Sequence, residues 1–263
     1  MDAPLRLPSL FLSHGSPMLA IEDSPAGRFL DGLGERLGQP RAIVIASAHF
    51  TTRQPALGAD PRPPTVHDFN GFPPQLYQLQ YPAPGDPELA GRVAGLLREA
   101  GLPAAPLVEH GLDHGIWVPL RRMYPQADIP VVPVAVVPQA DARMHLALGR
   151  ALAPLREQGV LVIGSGGFVH NLGDLAWHDR SAAMPGWATE FADWMRARLA
   201  GGDIDALLDW TSRAPHPQRA HPTPEHLLPL FVALGAAGPT PRSEVLHASH
   251  EYGSLALDAF AFE

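Results

Sequence analysis

Four histidines, far apart along the chain, share one kind of setting. His14 in LFLSHGSP, His49 in IVIASAHF and His170 in LVIGSGGFVHN each follow an apolar run, and His226 in PTPEHLLPLF opens an amphipathic one. Imidazole exchanges protons near neutral pH and ligates transition metals through either nitrogen. Neighbouring strands of an α/β sheet end on one rim, so such residues can meet at a single ion. The chain has no cysteine, so a bound metal here would be held by imidazole, carboxylate or neutral oxygen.

The local contexts refine this. His14 precedes Gly15, Ser16 and Pro17, a sharp turn that exposes a side chain at a strand end, although HG alone equally marks an ordinary turn. His49 repeats the arrangement after Ile43, Val44, Ile45 and Ala46. His170 follows Gly164, Ser165, Gly166 and Gly167, where glycines permit close backbone approach or a tight turn. A phosphate cradle is the competing reading, but GSGG lacks both a following lysine and GxGxxG spacing. Thr223 reads as an N-cap and Glu225 as a charge at the positive helix end, with His226 just inside that helix. His114 in GLDHGIWVPL, beside Asp113 at a helix start, and His67 in TVHDFNGFP stand between a site role and that of a satisfied, partly buried histidine. His145 falls on a helix face and reads as structural. Neither GxSxG nor HExxH occurs, which argues against an α/β-hydrolase triad and a zincin protease.

The elements that must position these residues alternate between β-rich runs and amphipathic helices, the pattern of an α/β sheet covered by helices. Strands are expected at Ser9–Leu12, Ala42–Ala46, Ala105–Val108, Pro130–Val137 and Val160–Ile163, and around Val245 and Leu255. Helices are expected at Pro87–Ala100, Trp117–Met123, Ala142–Gln158, Trp187–Leu199, Ile204–Trp210 and Pro224–Leu234. Between Thr52 and Pro84 a proline- and aromatic-rich segment lacks periodicity, which suits a lid or pocket wall as well as a surface excursion.

At 263 residues and 46% hydrophobic content the chain can bury a large core, and one domain spanning 1–263, with a central mixed β-sheet flanked by helices, is expected. The net charge of −8 and the lack of basic runs argue against nucleic-acid binding. The first fifteen residues do not read as a signal peptide and no apolar run is long enough to span a bilayer, so a soluble cytoplasmic protein is expected. The 30 prolines and 25 glycines are spread as loop punctuation, so no disordered tail is expected.

Taken in order, LFLSHGSPM, AIVIASAHF, TVHDFNGFP, QYPAPGDPELA, GLDHGIWVPL, MYPQADIPVV, VHNL and PTPEHLLPL resemble the class III extradiol (LigB-like) aromatic ring-opening dioxygenases. The resemblance is closest to the 4,5-DOPA extradiol dioxygenase-like branch and runs from about Leu10 to the C-terminus. It implies that His14, His49 and His226 bind a metal, and that His170 is a general base or a further ligand. It also implies that His114 acts on bound oxygen or substrate, while His67 and Phe69 line a catechol pocket. Superfamily members with a carboxylate ligand keep Glu225 open as an alternative. The implied reaction inserts O2 into a catechol such as DOPA at Fe(II), with Zn(II) able to occupy the same imidazoles. Two alternatives are a zinc hydrolase using metal-bound hydroxide and a non-catalytic metal-binding member of the superfamily. Arg53, Arg62 and Arg121 are candidates to meet a substrate carboxylate, against a solvated surface role for each. An oligomer remains open.

Overall fold

A computed structural model describes residues 6–107 and 110–263. The elements are β1 (Ser9–Ser13), α1 (Pro25–Leu37), β2 (Ala42–Thr51), β3 (Ala56–Gly58), α2 (Pro87–Glu99), β4 (Ala105–Leu107), α3 (His114–Met123), β5 (Val131–Val136), α4 (Ala142–Leu152) and β6 (Val160–Gly166). They continue with α5 (Gly186–Gly201), α6 (Ile204–Leu208), α7 (Trp210–Arg213), α8 (Pro217–Ala220), α9 (Leu228–Ala236), β7 (Ser243–His247), β8 (His250–Glu251), β9 (Leu255–Ala256) and β10 (Ala259–Phe262). An eight-stranded mixed sheet has the order β4-β3-β5-β2-β6-β1-β10-β7. Its centre, β5-β2-β6-β1, is parallel, and β10 and β7 add antiparallel strands at one edge.

The central strands are apolar on both faces, as strands covered on both sides must be. Ile43 and Ile45 of β2 join Leu30 and Leu33 of α1 and Ile116 and Trp117 of α3 in one core. The alternating residues Val44 and Ala46 join a second core with Val93 of α2, Leu148 of α4 and Val232 of α9. Each strand is therefore clamped between two helical layers, which fixes the rim where its C-terminal end emerges.

Several expected boundaries shift, each for a local reason. Helix α1, which the sequence reading did not expect, starts at Pro25, with the Ser24 side chain accepting from the Gly27 N–H at 2.9 Å. Helix α4 stops at Leu152 and a 3-10 turn follows over Ala153–Gln158, because Pro154 cannot continue the α-helical hydrogen bonding. Helix α9 begins at Leu228 rather than Pro224, so Thr223 is not its N-cap and His226 lies in the preceding turn. Strand β3 falls inside the segment read as aperiodic. The strand expected near Leu255 is the short β9 of a separate two-stranded ribbon, while β10 completes the main sheet. Of the strand expected at Ala105–Val108, Val108 lies outside the described residues.

Candidate metal centre

Strands β1, β6 and β2 lie side by side and parallel, and their C-terminal ends deliver the histidines. His14 is the residue after β1, and its N–H donates to the Gly166 carbonyl at the end of β6 (3.0 Å). His49 is inside β2 rather than beyond it. Against β5, Ser47 pairs with Ala135 and Thr51 with Val136, so three residues of β2 bulge out of register, with His49 in the middle. Bulges of this kind re-aim side chains beside active sites.

The glycines after the β6 apolar run serve backbone packing. A Cβ on Gly166 would lie 2.0 Å from the His226 carbonyl oxygen, and one on Gly164 equally close to the Pro229 carbonyl oxygen. The segment carrying His226 thus lies directly on β6, and the Gly167 N–H donates to the His226 carbonyl at 2.8 Å.

These placements bring His14, His49 and His226 together. The Nε2 atoms of His14 and His49 are 3.1 Å apart and those of His49 and His226 3.3 Å, with ligand-capable atoms of all three within 4.8 Å of one another. Metal–nitrogen bonds of about 2.0–2.1 Å at right or tetrahedral angles give ligand separations of about 2.8–3.4 Å.

The opposite nitrogen of each ring explains the arrangement. Ser165 Oγ donates to the Gly115 carbonyl, so it meets His14 Nδ1 (3.1 Å) as an acceptor, and that nitrogen carries the proton. Glu225 Oε1 accepts from His226 Nδ1 at 3.1 Å, and Asp68 Oδ2 lies 3.5 Å from His49 Nδ1. In neutral rings all three Nε2 lone pairs then point at one another. Such convergence is repulsive without a cation between them, and it is the donor set that a divalent ion requires. Burial, followed by the neighbouring imidazoles, holds His14 and His226 well below the ordinary histidine range and brings His49 down to about 4. All three rings are therefore neutral at neutral pH, each with a single N–H.

Glu225 faces the far nitrogen of His226 and also accepts from Thr223 Oγ1 (2.9 Å), so it is neither a helix-end charge nor at the Nε2 pole. His170 stacks on His226 with ring centroids 3.5 Å apart and planes 6° from parallel. Burial and then His49 bring it to about 4. His114 opens α3, its ring centroid 3.9 Å from that of His49.

Asp68, which the sequence reading did not single out, organises this side. Its Oδ1 accepts from the His114 backbone N–H and its Oδ2 from His114 Nδ1, both at 2.9 Å. It thereby satisfies an N-terminal donor of α3, which Asp113 does not cap. Burial alone would raise the Asp68 carboxyl, but the hydrogen bonds from His114 outweigh it and bring it to about 2.

A cavity of about 370 Å³ opens over the cluster and includes all five of these histidines, Asp68 and Phe69 in its wall. The aperiodic segment thus supplies wall residues. His67 lies behind the wall, where Nε2 donates to the Leu79 carbonyl (3.0 Å) and the ring packs against Trp117. His145 is buried, accepting from the Val137 N–H and donating to the Asp141 carbonyl. No described helix is long and apolar enough to cross a membrane.

Fold and histidine cluster together define a metal-dependent α/β enzyme with an open cavity at the sheet rim. The chain belongs to the LigB family, described as the catalytic LigB subunit of aromatic ring-opening dioxygenase, whose model matches residues 8–259. It is thus an aromatic ring-opening dioxygenase of the extradiol class. Among its relatives is a 4,5-DOPA dioxygenase extradiol from Beta vulgaris, 42% identical over 258 residues, covering 97% of this chain and 96% of that one. Another of the same name, from Escherichia coli K12, is 44% identical over 235 residues, covering 88% and 85%. The crystal structure of an uncharacterized Escherichia coli K12 protein superposes with a TM-score of 0.83 at 36% identity, covering 97% and 99% of the two chains.

Proposed function

We propose that this protein cleaves a catechol beside its two hydroxyls, with Fe(II) held by His14, His49 and His226. The observation carrying the ligand assignment is the convergence of three Nε2 atoms whose opposite nitrogens are each turned toward an oxygen partner. Fe(II) in that position would supply open coordination positions for the catechol oxygens and for O2, together with redox chemistry that Zn(II), which suits the same imidazoles, lacks.

The protein's own groups bind, orient and move protons. Phe69 and Phe72 in the cavity wall suit an aromatic ring. His170 enters neutral and accepts a hydroxyl proton, and the negative charge left on the bound catechol raises its affinity for that proton. Its absence from the groups of described residues that could jointly hold an ion favours the base over a fourth ligand. His114 is fixed with its Nδ1 proton on Asp68, which leaves Nε2 to exchange a proton with substrate or oxygen. Glu225 orients His226 and is not a ligand in this reading. Phe69 contacts substrate, whereas His67 supports the wall.

DOPA is the first candidate substrate, from the names of the relatives. Residues 1–263 form one catalytic domain in this reading, supported by the extent of the family match. The test is anaerobic loading with Fe(II) or Zn(II), followed by aerated catechols. O2 uptake and a yellow product with Fe(II) alone are expected. Turnover in Zn(II) without O2 consumption would favour a hydrolase instead.

A further inference from the structure

We infer that His221 is a positioning residue for His170: from outside the cavity wall, it fixes the backbone that holds the His170 imidazole against the ligand His226. This rests on the reading of His170 as the base. Three hydrogen bonds join residues 168–171 to residues 219–221, which run the other way. The His170 N–H donates to the Ala220 carbonyl (3.0 Å), and Asn171 Nδ2 donates to the Arg219 carbonyl (2.8 Å). His221 completes the set, with Nε2 on the Phe168 carbonyl at 3.1 Å in a fully buried position. A carbonyl oxygen only accepts, so Nε2 carries the proton. Burial brings His221 down to about 3, so the ring stays neutral and Nδ1 keeps a bare lone pair.

That lone pair is the clue. Nδ1 of His221 is buried and meets no hydrogen-bond partner among the described residues, while the ring packs beside Phe191 and Trp210 with centroids 5.4 and 5.6 Å away. An unpaired acceptor in such an apolar box is costly, and a phenyl ring would fill the place without it. What imidazole supplies there, and phenyl cannot, is the Nε2 proton on Phe168. The strap that carries it is stiff: Pro217 and Pro222 fix their own backbone angles, and the His221 N–H donates to the Pro217 carbonyl at 2.9 Å. The bond acts two residues before His170, whose ring stacks on His226. His226 itself is held separately, by its carbonyl on Gly167 and by Glu225 on its ring. Loosening the strap should therefore release the base and spare the ligand.

The experiment compares wild-type protein, His221→Phe and His221→Gln, each also in a His170→Ala background. In His221→Phe the unfolding midpoint of the apoprotein should stay within about 4 °C of wild type, since the Phe168 carbonyl replaces Nδ1 as the unpaired acceptor. Chelator competition should show Zn(II) affinity changed far less than the about 10–100-fold that follows loss of a partner behind a ligand. On Fe(II)-loaded protein, kcat/KM for L-DOPA should fall by about 10–100-fold, as for a reacting group misplaced by about 1 Å. His221→Gln, whose amide can donate to Phe168, should recover most of it. In the His170→Ala background His221→Phe should cost nothing further, because the group it positions is gone. His221→Met, which fills irregular space without a donor, takes the place of the phenylalanine variant if that does not fold. An additive loss in the His170→Ala background, wild-type turnover in His221→Phe, or a loss of metal affinity that matches the loss of turnover would overturn the inference. The same cycle is read without turnover as the affinity of Zn(II)-loaded protein for 4-methylcatechol, by calorimetry under argon. A non-additive loss of that affinity, with no ring opening in Fe(II), would sink the dioxygenase reading and leave the role of His221 standing. Ring opening by the wild-type protein with additive losses would do the reverse.

Discussion

Glu225 Oε1 lies 3.1 Å from Nδ1 of His226, on the side of the imidazole away from the other histidines. The carboxylate accepts that proton and so directs the Nε2 lone pair inward. Partners behind a ligating histidine typically contribute 10–100-fold to metal affinity. Glu225→Ala should weaken Zn(II) or Fe(II) binding by about that factor, and Glu225→Gln, which keeps an acceptor oxygen, by less. Chelator competition measures both, and an unchanged dissociation constant in Glu225→Ala would show that the ring is held by packing alone.

Gly166 faces the His226 carbonyl with no room for a methyl group. Gly166→Ala must push the 226–229 segment off β6, costing about 1–3 kcal/mol or more of stability and displacing a ligand at the same time. Urea unfolding and metal titration should therefore fail together. Full metal affinity in a destabilised variant would separate the packing from the site.

Acid should unfold the metal-free protein early. His49 and His170 are brought to about 4, His221 to about 3, and His14 and His226 well down, in each case chiefly by burial. A depressed folded value means that the unfolded chain binds protons first as the pH falls. The stability is complete above about 6.5 and is lost progressively toward 4. His49 alone corresponds to ~3 kcal/mol at full protonation, less than additively with its coupled neighbours. Unfolding free energies of apoprotein between pH 7.5 and 4.5 should show this fall, and a flat profile would contradict it.

Ser165 Oγ joins His14 Nδ1 to the Gly115 carbonyl in a buried position. Ser165→Ala leaves both groups without that partner, a cost of about 1–3 kcal/mol. Thermal unfolding of the apoprotein checks this, and an unchanged midpoint would mean that other contacts satisfy them.

What the sequence made legible follows from periodicity and from strand ends. The apolar runs before His14, His49 and His170 gave the central sheet, and the ordered motifs gave the histidines. Asp68 was less visible because its partner His114 is 46 residues away and the intervening segment is aperiodic. Strand β3 is only three residues long and was hidden in the same segment. The role of Glu225 depends on where α9 begins, and Thr223-Pro224 imitates a helix start four residues too early. His67 and Phe69 are two residues apart, yet a hydrogen bond to Leu79 ties the first behind the wall while the second faces the cavity. Sequence spacing does not separate those two outcomes.

The central claim is that the His14–His49–His226 centre carries dioxygenation. Fe(II)-loaded protein supplied with isotopically heavy O2 and L-DOPA, followed by mass spectrometry of the ring-opened product, addresses it directly. Both heavy oxygen atoms should appear in one product molecule, and His49→Ala should abolish their incorporation while retaining the fold. Incorporation from water alone, or undiminished incorporation in His49→Ala, would contradict the account.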